Sequence, residues 1–368
     1  MNTNIALQRK IGQLLAVGIH GTELGDARIQ QVIKQAEAGL IGGVIIYRYN
    51  IINRKQLNEL LHGLQRAKTP FPLLVFVDQE GGKIQRIDST QGFHDTPSAK
   101  TIANASNAAQ ARQHYADLGQ ELQSTGFNFD LAPCVDLDGD PPCPAIGQLE
   151  RSYGRDPQQV ANYAQAMISG LKDHGVFACI KHYPGHGRAQ GDSHTGLLDI
   201  TKTWSEVELE PFKLLIAQGV VDAVMTSHLV HQDVDQGTPV TFSRGWLQRL
   251  RGELGFDGLI VADDLHMGAI INHYSLSETL IQGLNAGLDL LMFSNNPLAA
   301  EPQGIRHDLK ANVDQVITGE WQVPDAGLPE KVNSAIATAI DDGRLTVKVI
   351  EQAYRRVTAL KATLPVVD

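Results

Sequence analysis

The stretch FACIKHYPGHGRAQGDSHTGLLDI, residues 177–200, is the strongest indication of the fold in this chain. It opens with a short apolar run, Phe177 to Ile180, which is typical of a buried strand. Lys181 and His182 follow at once, and a Pro-Gly-His-Gly turn and a polar loop come after them. A buried strand that ends abruptly in polar side chains and glycines is how an α/β enzyme presents an active site. We therefore expect chemistry at the end of this strand.

Seven further apolar segments lie on either side of this stretch, and segments with helical spacing alternate with them. The predicted strands cover residues 11–21, 42–50, 72–82, 127–140, 220–231, 256–268 and 287–296. Their ends, like that of the first stretch, carry charged or titratable residues: Arg48, Asp78, Lys181, His182, His228 and Asp263. Eight strands alternating with helices predict a (β/α)8 barrel of the TIM type, an α/β fold whose chemistry lies at the carboxyl ends of the strands.

The alternative fold is an open, doubly wound sheet. Such a sheet would want a glycine-rich phosphate loop, and the sequence contains neither G-x-G-x-x-G nor G-x-x-x-x-G-K-[ST]. Beyond residue 297 a polar loop precedes two helical patterns, at 332–340 and 347–360, which we expect to dock on the barrel. Without repeats or low-complexity linkers, we expect one domain over residues 1–368, of which 297–368 form a C-terminal loop and helices.

Composition excludes some classes of partner. The net charge is −10, whereas nucleic-acid binding needs a basic face. The three cysteines, Cys134, Cys143 and Cys179, include no C-x-x-C pair, which favours a reducing compartment over a disulfide framework. We find neither a signal-peptide pattern nor an apolar run of transmembrane length. We expect a cytoplasmic monomer that binds neither nucleic acid nor membrane.

Two groups of residues could carry out catalysis. Asp263 closes a strand, and a carboxylate at a barrel mouth can be a nucleophile, a base or a metal ligand. Its neighbour Asp264 is assigned instead to capping the next helix. Asp192 and His194 lie two residues apart in a glycine-rich loop, where the carboxylate could orient the imidazole and raise its pKa for acid/base work. On spacing alone, two solvated loop residues explain this pair equally well.

The remaining candidates could bind a polar ligand. Arg86 and Arg151 could be surface charges, but arginine and lysine beside Asp and His at one mouth can also form hydrogen bonds to the hydroxyl groups of a polyol or sugar. A metal-dependent hydrolase is another interpretation, given the histidines 182, 186, 194 and 228. The H-x-H and H-E-x-x-H spacings that would favour a metal are missing.

Seven segments together resemble glycoside hydrolase family 3, and in particular its bacterial β-N-acetylglucosaminidases of peptidoglycan recycling. They are VDQEGGKIQR (77–86), LAPCVDLD (131–138), ERSYGRDP (150–157), KHYPGHG (181–187), DSH (192–194), VMTSH (224–228) and GFDGLIVADDL (255–265). They appear in family order over about residues 8–300, and KHYPGHG followed by DSH is the most specific pair.

The resemblance implies a retaining exo-β-N-acetylglucosaminidase that acts on terminal β-linked N-acetylglucosamine of peptidoglycan fragments, without a metal or another cofactor. Asp263 matches the catalytic nucleophile, and His194, oriented by Asp192, matches the acid/base. The positions that match sugar-binding residues are Asp78, Arg86, Arg151, Lys181 and His182. Most retaining enzymes use two carboxylates, so a loop histidine would be an unusual acid/base.

Some positions depart from the family pattern. Ala262 and His266 stand where serines are usual, Lys83 replaces an arginine, and the stretch DLDGDPPCPAIGQ is longer than expected. Another sugar specificity, such as that of a β-glucosidase, therefore remains an alternative. A non-catalytic sugar-binding protein is a further one, against which the presence of both Asp263 and the Asp192–His194 pair argues.

Overall fold

The structure is a computed structural model that describes residues 2–191, 193, 196–296 and 324–364. Within them the strands are β1 Leu15–Gly18, β2 Gly43–Ile45, β3 Leu74–Val77, β4 Phe129–Asp130, β5 Phe177–Tyr183, β6 Leu198–Asp199, β7 Ala223–Thr226, β8 Leu229–Val230, β9 Leu259–Val261 and β10 Leu291–Phe293. The helices are α1 Asn2–Gln13, α2 Ala27–Glu37, α3 Arg54–Gln65, α4 Ala99–Ala105, α5 Ala108–Thr125, α6 Pro157–Lys172, α7 Glu210–Ala217, α8 Arg244–Gln248, α9 Gly268–Ile271, α10 Leu276–Ala286, α11 Leu328–Asp341 and α12 Val347–Lys361. None of these helices is long and apolar enough to cross a membrane.

Eight of the strands form one parallel sheet in the order β10–β1–β2–β3–β4–β5–β7–β9. The register places Ala16 opposite Gly43, for example, and every neighbouring pair runs in the same direction. A parallel bridge between Val261 and Leu290 connects β9 to the residue before β10 and closes the ring. The predicted (β/α)8 barrel is therefore confirmed.

Side chains fill the interior of the barrel, as expected when eight strands close on a packed core. Every residue of the eight barrel strands is buried except Phe177, which is half-buried. Phe76 and Phe129 meet on neighbouring strands with ring centroids 4.6 Å apart, and Phe177 lies 5.8 Å from Phe129. Because all eight strands point the same way, their carboxyl ends share one rim, and the segments that follow them carry the candidate site.

The C-terminal helices α11 and α12 pack on the outside of the barrel, against α1 and α10. Lys361, at the end of α12, is completely buried. Its Nζ donates hydrogen bonds to Gln13 Oε1 and to the Gly42 carbonyl, both at 2.6 Å. These contacts attach the last helix to the first helix and to the entry of β2, where the sequence predicted docking.

The strand predicted over residues 11–21 is wrong about where the strand begins. Residues 11–13 continue α1, and β1 starts at Leu15. Ile11 and Leu14 are both buried, Ile11 in the last turn of the helix and Leu14 just after it. A short apolar run fits a buried helix end as well as a strand, so its periodicity alone could not separate the two.

Other local features differ in part from expectation. Two helices, α4 and α5, lie between β3 and β4, and Asn107 caps the second by accepting the Gln110 N–H at 3.0 Å. The strands β6 and β8 pair in a small, separate parallel sheet. The sequence did not predict this sheet, because each of its strands has only two residues. Ser243 accepts the Trp246 N–H at 3.1 Å and so caps α8.

Candidate active site

The rim at the carboxyl ends of the strands brings together most of the candidate residues. Asp78 follows β3, Lys181 and His182 lie near the end of β5, and Asp263 follows β9. Arg86 and Arg151 come from loops after β3 and β4. These residues are far apart in the sequence, and the parallel barrel brings them together at one rim.

Asp78 joins two of the predicted sugar-binding residues. Its Oδ2 accepts a hydrogen bond from Arg86 Nη2 at 2.9 Å, and its Oδ1 accepts one from Lys181 Nζ at 3.0 Å. Burial alone would raise the pKa of Asp78, but the charges of Lys181 and Arg86 outweigh it and hold that pKa below its usual range. Asp78 is therefore a carboxylate. Its side chain is 18% exposed and that of Arg86 20%, so this part of the network can reach a ligand.

Glu80 forms the buried centre of the network. Arg151 donates to both of its oxygens, from Nε and Nη2, at 2.8 Å each, and Lys181 Nζ lies 2.6 Å from Oε1. Burial opposes the charge on Glu80, yet Arg151 and Lys181 together lower its pKa below the usual range. The ammonium of Lys181 has three N–H groups. Two of them contact Asp78 and Glu80, and the third has no partner among the described residues.

His182 continues the network, and its contacts define its tautomer. Arg151 Nη2 lies 3.1 Å from His182 Nε2, and a guanidinium can only donate, so Nε2 accepts. The proton is therefore on Nδ1, which donates to Asp136 Oδ2 at 2.6 Å. Asp136 also accepts the backbone N–H of His186 at 2.8 Å. Burial would raise the pKa of Asp136, but the hydrogen bonds from His182 Nδ1 and the His186 backbone lower it to about 2.

One group of buried side chains has the composition of a metal site. The ligand atoms of Cys134, Asp136 and His182 all lie within 4.8 Å of one another. Hydrogen bonds already connect them, because Cys134 Sγ donates to Asp136 Oδ2 at 3.3 Å and His182 Nδ1 donates to the same oxygen. A metal on Nδ1 would displace the proton that Arg151 fixes there. The described geometry thus favours a hydrogen-bonded group over a metal centre.

The segment after β9 holds the predicted nucleophile. Asp263 is half-buried, and its Oδ1 accepts the backbone N–H of Asp264 at 2.8 Å. His228, between β7 and β8, contacts the Asp264 carbonyl through Nε2 at 2.9 Å and so supports the backbone beside Asp263. A carbonyl oxygen only accepts, so the His228 Nε2 carries a proton.

The helix-cap role assigned to Asp264 is wrong. The next helix, α9, begins after Met267, whose backbone is the cap position. Asp264 Oδ1 instead accepts the backbone N–H groups of His266 at 3.0 Å and Ser294 at 2.7 Å. It therefore ties the turn after β9 to the end of β10. Burial raises the pKa of Asp264 to about 6.

The predicted acid/base pair, Asp192 and His194, lies outside the described residues. The start of the same loop is described, and its backbone is closely packed. A Cβ on Gly187 would lie 1.7 Å from the Leu137 carbonyl oxygen, and Gly185 has a φ of +121°. These two glycines are thus required by close approach and by a left-handed backbone, rather than only by freedom of motion.

Sequence reasoning missed three residues that complete the site. Glu80 and Asp136 were both within quoted motifs, but nothing local marked them as the carboxylates that hold Arg151 and His182. The third is Tyr47, whose ring lies 5.7 Å from the Arg86 guanidinium carbon. A buried cation requires a carboxylate partner, and that requirement is the signal that could have found Glu80.

Comparisons with known proteins identify the family of this chain and agree with its fold. The chain matches the glycosyl hydrolase family 3 N terminal domain over residues 6–360. It is 36% identical to a β-hexosaminidase of Nitrosospira multiformis over 282 residues, 73% of this chain and 77% of that relative.

Two solved structures share the fold over nearly the whole chain. A glycoside hydrolase family 3 β-N-acetylglucosaminidase from Paenibacillus sp. str. FPU-7 has a TM-score of 0.82 and 31% identity; the match covers 97% of this chain and 62% of that one. A β-N-acetylhexosaminidase from Beutenbergia cavernae has a TM-score of 0.81 and 27% identity, over 97% of this chain and 98% of that one. With a closed barrel, a buried charge network at its carboxyl rim and a family match over almost its full length, the chain belongs to glycosyl hydrolase family 3 and is a glycoside hydrolase.

Proposed function

We propose that the protein is a retaining exo-β-N-acetylglucosaminidase, which removes terminal, non-reducing β-linked N-acetylglucosamine. The observation that carries this proposal is the network around Lys181, which offers both donors and acceptors at the rim. Asp78 and Arg86 are its partly exposed members, and one N–H of Lys181 has no partner among the described residues and can donate to a ligand. Alternating acceptors and donors suit the vicinal hydroxyls of a sugar ring. The β-hexosaminidase relatives favour an N-acetylated sugar.

In the proposed mechanism, an oxygen of Asp263 attacks the anomeric carbon while the glycosidic bond breaks. His194 gives its proton to the departing oxygen, and a covalent glycosyl-aspartate forms. His194 then takes a proton from water, which attacks the same carbon and releases Asp263. Two inversions leave the anomeric configuration unchanged. Asp192 holds the imidazole and stabilises its charged form.

Neutral His182 and buried Arg151 have a supporting part in this scheme. The proton on His182 Nδ1 is committed to Asp136, and the Arg151 N–H groups described here point to Glu80, His182 and the Ala145 carbonyl. We propose that both side chains position the sugar indirectly, by supporting Lys181 and Asp78. The natural substrate we propose is a β-N-acetylglucosaminyl fragment of peptidoglycan. The cytoplasmic location and the monomeric state remain predictions from the sequence.

A panel of 4-nitrophenyl glycosides tests the activity. We expect kcat/KM for the N-acetyl-β-glucosaminide to exceed that for the β-glucoside, and NMR of the first product to show the β anomer. Preference for the glucoside would establish the alternative specificity that Ala262 and His266 leave open. An α product would contradict retention. A muropeptide with a terminal N-acetylglucosamine tests the proposed source.

A mechanism-based fluorosugar tests the nucleophile. Peptide mapping by mass spectrometry should find the label on Asp263, and Asp263→Asn should lower turnover by several orders of magnitude while the sugar still binds. Asp257→Asn, on the same segment before β9, is the matched control and should keep wild-type turnover. A label on Asp264 would overturn the assignment.

A further inference from the structure

The start of the loop that leads to Asp192 and His194 is attached to the barrel by its backbone. Trp204 Nε1 donates to the Pro184 carbonyl at 3.1 Å, and the Gly185 N–H donates to the His182 carbonyl at 2.8 Å. The next two backbone N–H groups both donate hydrogen bonds to carboxylates. That of His186 donates to Asp136 at 2.8 Å, and that of Gly187 donates to Glu208 Oε2 at 3.0 Å.

Glu208 is an unusual residue for this position. It lies in the short 3₁₀ helix Glu206–Leu209, which precedes α7, and it is 1% exposed. Its Oε2 accepts the Gly187 N–H, whereas its Oε1 has no hydrogen-bond partner among the described residues. Glu208 forms no close ion pair within the described residues, and burying such a carboxyl group costs free energy. An apolar side chain would fill the same space without that cost, so the carboxyl group must serve the loop.

The loop and Glu208 also fit each other sterically. A Cβ on Gly185 would lie 2.5 Å from Glu208 Cβ and 2.9 Å from its Oε2. The charge and the backbone N–H of Arg188 favour the ionised form of the same carboxyl group. Glu208 therefore contacts the backbone from residue 185 to 188, immediately before the segment that bears the proposed acid/base pair.

We propose that Glu208 is a positioning residue for catalysis, which holds the base of the loop at Gly187 so that His194 can protonate the leaving oxygen. The inference rests on the proposed function, because it needs His194 as the acid/base. Glu208 does not touch the substrate in this scheme. It acts through the backbone of residues 185–188, as the fixed end from which the loop extends.

This role has a kinetic signature that a purely structural role lacks. Protonation matters most for a leaving group of high pKa, and little for an activated one. The ratio kcat/KM covers the steps up to the glycosyl-enzyme and therefore reports only this first protonation. A variant with a displaced loop should lose kcat/KM selectively on poor leaving groups. A variant that is merely less stable should lose activity equally on both kinds of substrate.

The experiment compares Glu208→Ala and Glu208→Gln on two N-acetyl-β-glucosaminides, one with a 2,4-dinitrophenyl and one with a methyl leaving group. We expect Glu208→Ala to lower kcat/KM by about 10- to 100-fold on the methyl glycoside, part of what a general acid contributes. The loss on the dinitrophenyl glycoside should be under about 3-fold by the same reasoning. Added azide should raise kcat on the dinitrophenyl glycoside, because it replaces the water that His194 would activate.

Glu208→Gln should stay near wild type on both substrates, because its carbonyl oxygen can still accept the Gly187 N–H. Burial raises the pKa of Glu208 to about 8, so a neutral amide is also close to the native charge state. Glu208→Asp keeps the carboxyl group but withdraws it from Gly187, and it should show the selective loss even if the alanine variant does not fold. Glu210→Ala is the matched control, since Glu210 lies two residues further on and pairs with Lys213 at the surface.

Equal losses on the two leaving groups in the alanine and aspartate variants would overturn the inference. A glutamine variant as impaired as the alanine variant would also overturn it, because an acceptor oxygen would then be insufficient. Failure of the proposed function looks different: the wild-type protein would then hydrolyse neither N-acetylglucosaminide.

Discussion

Glu80 and Arg151 form a two-pronged ion pair that is almost completely shielded from solvent. The two N–H···O distances are 2.8 Å each, and the side chains are 4% and 2% exposed. This pair lies behind Asp78 and Lys181, and it connects the segment after β3 to the loop after β4. The rigidity of the candidate sugar site therefore depends on a contact that a sugar need not touch.

Glu80→Ala should lower the free energy of unfolding by about 3–5 kcal/mol, because Arg151 would stay buried without its carboxylate. Urea denaturation measures the change. Glu253→Ala is the matched control: Glu253 also pairs with an arginine, Arg249, at 2.9 Å, but it is 66% exposed. An exposed pair contributes about 0–1 kcal/mol. Similar changes in the two variants would mean that burial does not set the strength of the Glu80–Arg151 pair.

Asp78→Asn should act on catalysis more than on stability. The variant loses a charged acceptor at the exposed part of the network, while Lys181 keeps its contact with Glu80. We expect kcat/KM to fall by roughly 10- to 1000-fold, since hydrogen bonds to charged groups contribute about 1.5–3 kcal/mol or more. Asp88→Asn, which also removes the charge of an arginine-paired aspartate, serves as the control. Wild-type kinetics in Asp78→Asn would exclude Asp78 from the sugar site.

The barrel could be predicted from the sequence because each of its strands is an apolar run that ends in polar residues. This pattern is local, and it also identified Asp78, Lys181 and Asp263 as residues of one rim. The partners of the cations were not predictable in the same way. Glu80 is two residues from Asp78, yet only the tertiary fold decides that it is buried against Arg151.

The loop that contains Asp192 and His194 is a second case in which the sequence did not predict the packing. A glycine-rich loop can indicate freedom of motion, but Gly185 and Gly187 are packed against Glu208 and the Leu137 carbonyl. A glycine in a sequence does not reveal whether it gives freedom or allows close approach. Only the neighbouring backbone distinguishes these two reasons.

Asp130 provides a test of pH dependence inside the barrel. It is fully buried on β4, and its Oδ1 accepts the Gln79 N–H at 3.0 Å. Burial raises its pKa from 3.8 to about 8. Between these two values the folded chain holds a proton that the unfolded chain has lost, so the contribution of Asp130 to stability falls as pH rises.

Asp130→Asn should remove this dependence, because the amide has a similar shape, no charge and the same acceptor for Gln79. The unfolding free energy of the variant minus that of wild type should increase by on the order of 3 kcal/mol between pH 5 and pH 8. Urea denaturation at the two pH values measures this gain. The exposed Asp117→Asn is the control. A difference between variant and wild type that does not change with pH would show that Asp130 is ionised in the fold.

Lys361 should produce the opposite dependence at the far end of the molecule. Its ammonium is completely buried, and its two described partners, Gln13 Oε1 and the Gly42 carbonyl, are both uncharged. Burial lowers its pKa from 10.5 to about 7. Between pH 7 and 10.5 the unfolded chain therefore binds a proton that the folded chain does not. Because the unfolded state binds more protons there, this residue's contribution to stability increases as pH rises.

Lys361→Met keeps the length of the side chain but cannot titrate or donate. The unfolding free energy of wild type minus that of Lys361→Met should increase by on the order of 3 kcal/mol between pH 7 and pH 10. Chemical denaturation of both proteins at each pH gives this difference, in which the titration of all other groups cancels. Lys348→Met, on the exposed side of α12, is the matched control and should not follow this curve. If the Lys361 difference stayed constant, the ammonium would remain charged at pH 10, and Gln13 and the Gly42 carbonyl would suffice to solvate it in the interior.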